Sequence, residues 1–233
     1  MSLTVLIPTS GQKDTLPESL NGFLETPSAR VSLSTEHDLS FTNDRIQVTK
    51  TSRGLWLSQR LNDLLEHVET EFVMCSDDDM VVRPGALDRM MAVLRAYPDD
   101  RLILAEGYVQ DNDGPCVGVI EVPRFWMMRT TNFKEIGGLD PTYRYGCMEI
   151  DLLERVWSRK GTAVLVEGAC LHHRLIPTKS QVLLDEREKD FEAFRKRWGH
   201  ERIMTAFQDG AIQPVVHSFQ CTFHTVQKEA VTV

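Results

Sequence analysis

Two rhythms of apolar residues divide this chain. Leu3 to Pro8 and Phe72 to Cys75 are short, almost unbroken apolar runs bounded by polar residues, the pattern of strands buried on both faces. Elsewhere apolar residues recur at helical spacing: Leu16, Leu20 and Phe23-Leu24; Leu57, Leu61, Leu64, Leu65 and Val68; Leu87, Met90, Met91 and Leu94. These predict helices over residues 15–25, after Gly54, and from Pro84-Gly85-Ala86 to Tyr97, the last with proline in its first turn. Weaker strand patterns occur at Ala29 to Ser34, Ile46 to Val48, Arg101 to Ala105, Val117 to Val122, Phe125 to Arg129 and Ala163 to Val166. Gly107 to Pro115 reads as a polar loop. Strands and helices that alternate in this way predict a layered α/β domain.

The apolar run Phe72-Val73-Met74-Cys75 ends in Ser76-Asp77-Asp78-Asp79 and resumes at Met80-Val81-Val82. Three adjacent carboxylates repel one another unless a cation or protonation relieves them. On a continued strand Asp77 and Asp79 would share one side and Asp78 would take the other. Two oxygen ligands on one side suit Mg2+ or Mn2+ holding a phosphate, whereas the plainer alternative is a solvated acidic turn before Pro84-Gly85.

A second informative stretch runs from Arg129 to Arg155. A short helix capped by Thr131 or Asn132 is expected to end at Gly137-Gly138, where left-handed geometry is free of Cβ cost. Glu149-Ile150-Asp151 opens a further helix with Ile150, Leu153 and Val156-Trp157 at core spacing. Acids in a first turn are also ordinary dipole partners, so Glu149 and Asp151 have a structural as well as a chemical reading. His172-His173 follow the last strand pattern and are candidate metal ligands beside an acid cluster. Gln181 to Trp198 reads as a solvated helix with Leu183-Leu184, Phe191 and Phe194 as its apolar stripe. Phe219, Cys221, Phe223 and Thr225 alternate in the tail, the pattern of an added strand or a self-association edge, as in a homodimer.

Composition narrows the picture. The chain has 233 residues, enough for one domain with a proper core. A net charge of −8 argues against a general nucleic-acid or anionic-membrane binder. Five scattered cysteines (75, 116, 147, 170 and 221) form no C-x-x-C pair, so reduced structural thiols are expected. No basic leader precedes Leu3, and no apolar stretch nears the roughly 20 residues of a membrane span, so a cytoplasmic protein is expected.

Taken together these pieces resemble the GT-A-fold glycosyltransferases, in particular the inverting family 2 enzymes. Three matches carry the resemblance: the strand Val5-Leu6-Ile7-Pro8-Thr9; Asp77-Asp78-Asp79 with Met80-Val81-Val82 and Pro84-Gly85, similar to the family's D-x-D segment; and Arg129 to Arg155 with Ile136-Gly137-Gly138-Leu139-Asp140 and Glu149-Ile150-Asp151-Leu152, similar to the family's stretch ending in Glu-Asp-x-Asp-Leu. His172-His173, where many relatives carry a metal-binding histidine, is a fourth. The resemblance spans roughly residues 3 to 200, which implies one catalytic domain over 1–200 and an extension over 201–233 for packing or self-association. It departs in three places. Met148-Glu149 stands where the family often has Glu-Asp, so the base would be Glu149. Phe194 occupies the glutamine position of the processive synthases' Gln-x-x-Arg-Trp, although Arg197-Trp198 is present. The nucleotide-recognising acid after the second strand has no clear counterpart, with Glu36 and Asp38 as candidates.

What the resemblance implies is a metal-dependent transferase that moves a hexosyl or N-acetylhexosaminyl group from a nucleotide-diphosphate sugar, a UDP-sugar foremost, to a glycan or other hydroxyl acceptor with inversion. Asp79, with Asp77 and one of His172 or His173, would hold Mn2+ or Mg2+. Pro8, Thr9, Glu36, Arg60, Asp77 and Asp78 would line the donor site. Glu149 would take the acceptor proton, with Asp151 as second candidate or as support for Glu149. Trp126, Tyr143 and Tyr145 are either sugar-stacking faces or core. Two rivals remain: a sugar nucleotidyltransferase, for which Thr9-Ser10-Gly11-Gln12-Lys13 is a poor phosphate loop, and a catalytically inactive nucleotide-sugar-binding protein.

Overall fold

The computed structural model describes residues 1–11, 14–120, 122–174, 181–199, 203–208 and 211–216. The first half is an alternating unit: β1 (Leu3–Pro8), α1 (Leu16–Leu24), β2 (Ala29–Thr35), β3 (Ile46–Lys50), α2 (Leu57–Glu66) and β4 (Phe72–Cys75). β2 and β4 flank β1 in parallel, and β3 extends the sheet beyond β2. β1 is buried along its whole length, as its apolar run predicts, because helices cover both of its faces. Leu3, Val5 and Ile7 pack with Leu20 and Phe23 of α1, whereas Leu6 points the other way into a cluster with Leu61 and Leu65 of α2.

The chain continues through β5 (Met80–Val82), α3 (Ala86–Ala96), β6 (Ile103–Asp111), β7 (Cys116–Val119), β8 (Trp126–Arg129), α4 (Thr130–Glu135), α5 (Met148–Ser158), β9 (Thr162–His173) and α6 (Gln181–Trp198). β8 joins β4 and β6 antiparallel, so the sheet is mixed, and β9 runs parallel to β6 and antiparallel to β5. β10 (Ile203–Gln208) and β11 (Ala211–Val216) form a hairpin on β7. The alternating Phe219 to Thr225 segment lies outside the described residues. Gly137 and Gly138 both have positive φ, 91° and 65°, as the helix-ending pair requires.

Two expectations are corrected here. Gly107 to Pro115 is not one loop, since β6 runs on to Asp111 and only residues 112–115 turn. Gly107 marks a register irregularity in β6, where the Phe125 ring occupies the space of a Cβ. Gly107→Ala is therefore expected to lose about 1–3 kcal/mol by overpacking, read as a lower denaturant midpoint. The thiols are not all reduced: Cys116 and Cys170 form a disulfide across 54 residues, while Cys75 and Cys147 are free and buried. The spacing concealed this pair because β6 brings it together, Gln110 facing Cys116 and Tyr108 facing Cys170. Among the described residues no helix is long and apolar enough to cross a membrane.

Candidate active site

Pairing of Leu6 with Cys75, and the bond from Ser76 N–H to the Leu6 carbonyl (2.9 Å), bring β1 and β4 out of the sheet side by side. Thr9 and the three aspartates therefore emerge together at the carboxyl ends of parallel strands, the usual ligand edge of such sheets. β4 stops at Cys75, and Asp78 and Asp79 sit in a turn before β5, so strand alternation does not govern where the carboxylates point. Each has its own surroundings instead. Asp78 is buried and accepts from Thr9 Oγ1 at 2.6 Å, while Thr15 Oγ1 donates to its carbonyl at 3.0 Å. Asp77 is exposed and lines a cleft. Asp79 is buried, with its Oδ1 3.5 Å from His173 Nε2.

His173 ends β9 opposite Met80, and its main chain is followed by a bond from Arg174 N–H to the Asp79 carbonyl (2.9 Å). Its other ring nitrogen, Nδ1, lies 2.7 Å from both Asp111 Oδ1 and Arg124 Nη2. Arg124 also donates to both Asp111 oxygens, at 2.7 and 2.5 Å. That hydrogen-bonded guanidinium, with His173 adding to it against the cost of burial, brings the Asp111 carboxyl down to about 2. Burial works against a charged His173, but hydrogen bonds to Asp79 and Asp111 outweigh it and raise its pKa. His172 projects from the opposite side of the strand, with Nε2 buried and no hydrogen-bond partner among the described residues. Of the two histidines, His173 is the one brought to the aspartates.

Glu149 lies in the first turn of α5 and reaches the same cleft as Asp77. Burial pushes its carboxyl up to about 7; its backbone hydrogen bond opposes this and the charge of Asp77 adds to it. The cleft, about 340 Å³ with its open mouth, is walled by Pro8, Leu57, Trp126 and Arg124 as well as the two acids. Arg124 links it to the Asp79–His173 pair. Asp151 is not in the cleft. It is fully buried, pairing with Arg155 Nε at 2.7 Å and accepting from Trp198 Nε1 at 3.0 Å, with Arg197 3.4 Å away.

Arg60 spans the ends of β1 and β2, donating to the Thr9 carbonyl (3.1 Å), Ser34 Oγ (3.1 Å) and the Ser34 carbonyl. Burial lowers its pKa, while Glu36 and Asp78 pull the other way. Asp38 is instead paired with Lys50 at 2.6 Å in solvent, and Glu36 is the acid whose charge acts on Arg60. Trp126 and Tyr143 are both buried, Trp126 edge-on to Phe133 with ring centroids 5.2 Å apart. Tyr143 is packing, and Trp126 contributes to the cleft wall.

Asp111 and Arg124 are absent from the sequence-based candidates. Asp111 fell in the stretch read as loop, and Arg124 belongs to no motif. No sequence signal marked either residue, since Asp111 meets His173 only through the strand register.

A mixed sheet clad by helices, with acids at the carboxyl ends of its parallel strands, defines a GT-A nucleotide-sugar fold. Solved structures of this class superpose on it. They include GalNAc-T7 with UDP, GalNAc and Mn2+ (TM-score 0.67, 14% identity, covering 85% of this chain and 48% of that one) and Staphylococcus aureus TarS 1-349 in complex with UDP-GlcNAc (0.64, 12%, 84% and 65%). The chain thus spans about half to two thirds of these neighbours. No curated protein matches it in sequence. The family described as Glycosyl transferase family 2 matches residues 4–157, more than half of the sequence, and the chain belongs to that family.

Proposed function

We propose that this chain transfers a hexosyl or N-acetylhexosaminyl group from a UDP-sugar to an acceptor hydroxyl with inversion, Glu149 acting as base. The observation that carries this reading is the cleft in which Glu149, its carboxyl pushed up to about 7, opposes Asp77 at the ends of β1 and β4. A base that titrates near the working pH combines a usable deprotonated fraction with appreciable proton affinity. Pro8 lines the cleft, Thr9 lies buried beside it with its hydroxyl on Asp78, and Arg60 bonds the neighbouring strand ends within reach of the charge of Glu36. Asp151 is assigned to the support of α5 rather than to proton transfer.

The donor set fits a divalent cation. Among the described residues no three His, Cys, Asp or Glu side chains gather tightly enough to enclose a metal ion by themselves. Asp79 and His173 do face each other, and Asp111 on the far ring nitrogen is the carboxylate–histidine arrangement that orients a ligating imidazole. Two protein ligands, with the remaining positions left to diphosphate oxygens and water, suit Mn2+ or Mg2+, the imidazole favouring Mn2+. When bound, the ion supplies Lewis-acid stabilisation of the departing diphosphate. Glu149 accepts the hydroxyl proton as the oxygen attacks the anomeric carbon, and the apolar walls Leu57 and Trp126 limit water around it.

Incubation with UDP-, GDP- and dTDP-sugars plus Mn2+ tests the proposal. Nucleotide release, fastest with a UDP-sugar, is expected. Thermal stabilisation by nucleotide and metal without any release would identify a binding protein instead. Asp111→Asn is expected to weaken Mn2+-dependent UDP binding about 10–100-fold in calorimetry, because His173 loses its orienting carboxylate.

A further inference from the structure

α6 lies beyond the family-matched residues, yet its buried side chains are not those of an ordinary amphipathic helix. Glu186, Asp190 and Phe194 form its buried stripe, with two acids among three residues. Asp190, 3% exposed, turns one oxygen, Oδ2, onto three successive backbone N–H groups: Arg144 at 3.0 Å, Tyr145 at 2.7 Å and Gly146 at 2.8 Å. Hydrogen bonds to an ionised acceptor are roughly twice as strong as neutral ones. Immediately downstream, Cys147 has φ of 60°, a left-handed geometry that a non-glycine residue keeps only when its surroundings over-determine it. Cys147 caps α5, its carbonyl accepting from Asp151 N–H at 2.8 Å, and Glu149 follows two residues later. The Glu186–Arg144 ion pair (2.8 Å) ties the same loop to the same helix.

We propose that Asp190 is the positioning residue for the catalytic base: its carboxylate fixes the backbone of residues 144–146, which sets the left-handed turn at Cys147 and thereby the direction in which Glu149 leaves α5. This rests on the reading of Glu149 as base. Asp190 touches no reacting atom and acts through the loop alone. Because displacement of a reacting group by about 1 Å can cost 10²-fold in rate, loss of the carboxylate should appear in kcat rather than in donor binding.

The test follows Mn2+-dependent hydrolysis of UDP-GlcNAc together with hydrogen exchange of the Arg144, Tyr145 and Gly146 amides, in full-length wild type, Asp190→Ala, Asp190→Asn, Glu149→Gln and the Glu149→Gln/Asp190→Ala double variant. Asp190→Ala is expected to lower kcat about 10²-fold with KM within threefold, and to strip protection from those amides. Asp190→Asn, which keeps an acceptor oxygen, should recover most of the rate. The double variant should be no slower than Glu149→Gln. Full kcat in Asp190→Ala beside an inactive Glu149→Gln overturns the role of Asp190 alone. A fully active Glu149→Gln overturns the assignment of the base. If wild type releases no nucleotide from UDP-GlcNAc or from any other donor of the sugar-nucleotide panel, the proposed function falls, and unchanged amide protection in Asp190→Ala then overturns the loop contact as well.

Discussion

Glu149→Gln is expected to cut sugar transfer by about 10²–10⁴-fold, the usual contribution of a positioned base, while UDP affinity in the presence of Mn2+ stays within a few-fold. The same substitution should stabilise the protein at alkaline pH. A carboxyl held at about 7 in the folded protein, against about 4.3 when unfolded, binds its proton more tightly in the native state. Its contribution to stability is therefore greatest below the unfolded value and declines as pH rises through 7, after which the charged, recessed group is a fixed penalty. Glutamine carries no such penalty. Allowing for the partial exposure of Glu149, Glu149→Gln should unfold about 1–3 kcal/mol later than wild type at pH 8, with the difference vanishing below about pH 4. In wild type, kcat/KM should fall as pH drops below about 7, the limb that reports the base in the free protein. A pH-independent kcat/KM in that range, or a Glu149→Gln variant that turns over normally, would remove Glu149 from the chemistry.

Asp151→Ala should have the opposite profile. Its carboxylate has no exposure, and truncation leaves the half-buried Arg155 without its acid partner and Trp198 Nε1 without its acceptor. Breaking a buried pair from one side costs about 3–5 kcal/mol, which would show as a large drop in urea midpoint. Turnover per folded molecule, measured well below the new midpoint, should remain within about tenfold of wild type, the scale of a change in support rather than of a lost base. An Asp151→Ala protein of wild-type stability but without turnover would exchange the roles of the two acids.

How far the chain could be read depended on what each residue answers to. β1 and α2 follow from local pattern alone, since burial on two faces demands an unbroken apolar run and burial on one demands helical spacing. The acid cluster was legible as chemistry but not as geometry. Its turn is set by the partners of Asp78, and Thr9 and Thr15 lie more than 60 positions away in sequence. Gly107 shows why a glycine misleads: the same residue type that ends strands also lets an aromatic ring press on one. α6 shows the limit of apolar counting. The expected stripe gave Leu184 a role that the structure withholds, because Leu184 is exposed, whereas Phe191 packs against the core beside Phe194 and the other inward positions are held by Glu186 and Asp190, acids with backbone or cationic partners. Residue pairs such as Asp111–His173 and Cys116–Cys170 exist only through strand register, which a single sequence does not encode locally.

The sheet separates the packing layers that back the two halves of the candidate site, although Met80 and Met148 both reach the cleft between them. Met80 and Leu171, next to Asp79 and His173, belong to the packing layer shared with α1 and α3, whereas Met148 and Leu152, on either side of Glu149, belong to the layer shared with α2 and α6. Substitutions in separate layers without common partners add within about 0.5 kcal/mol. Lineages descended from such a chain can therefore rework the helices behind Glu149 while the layer behind Asp79 and His173 is inherited unchanged.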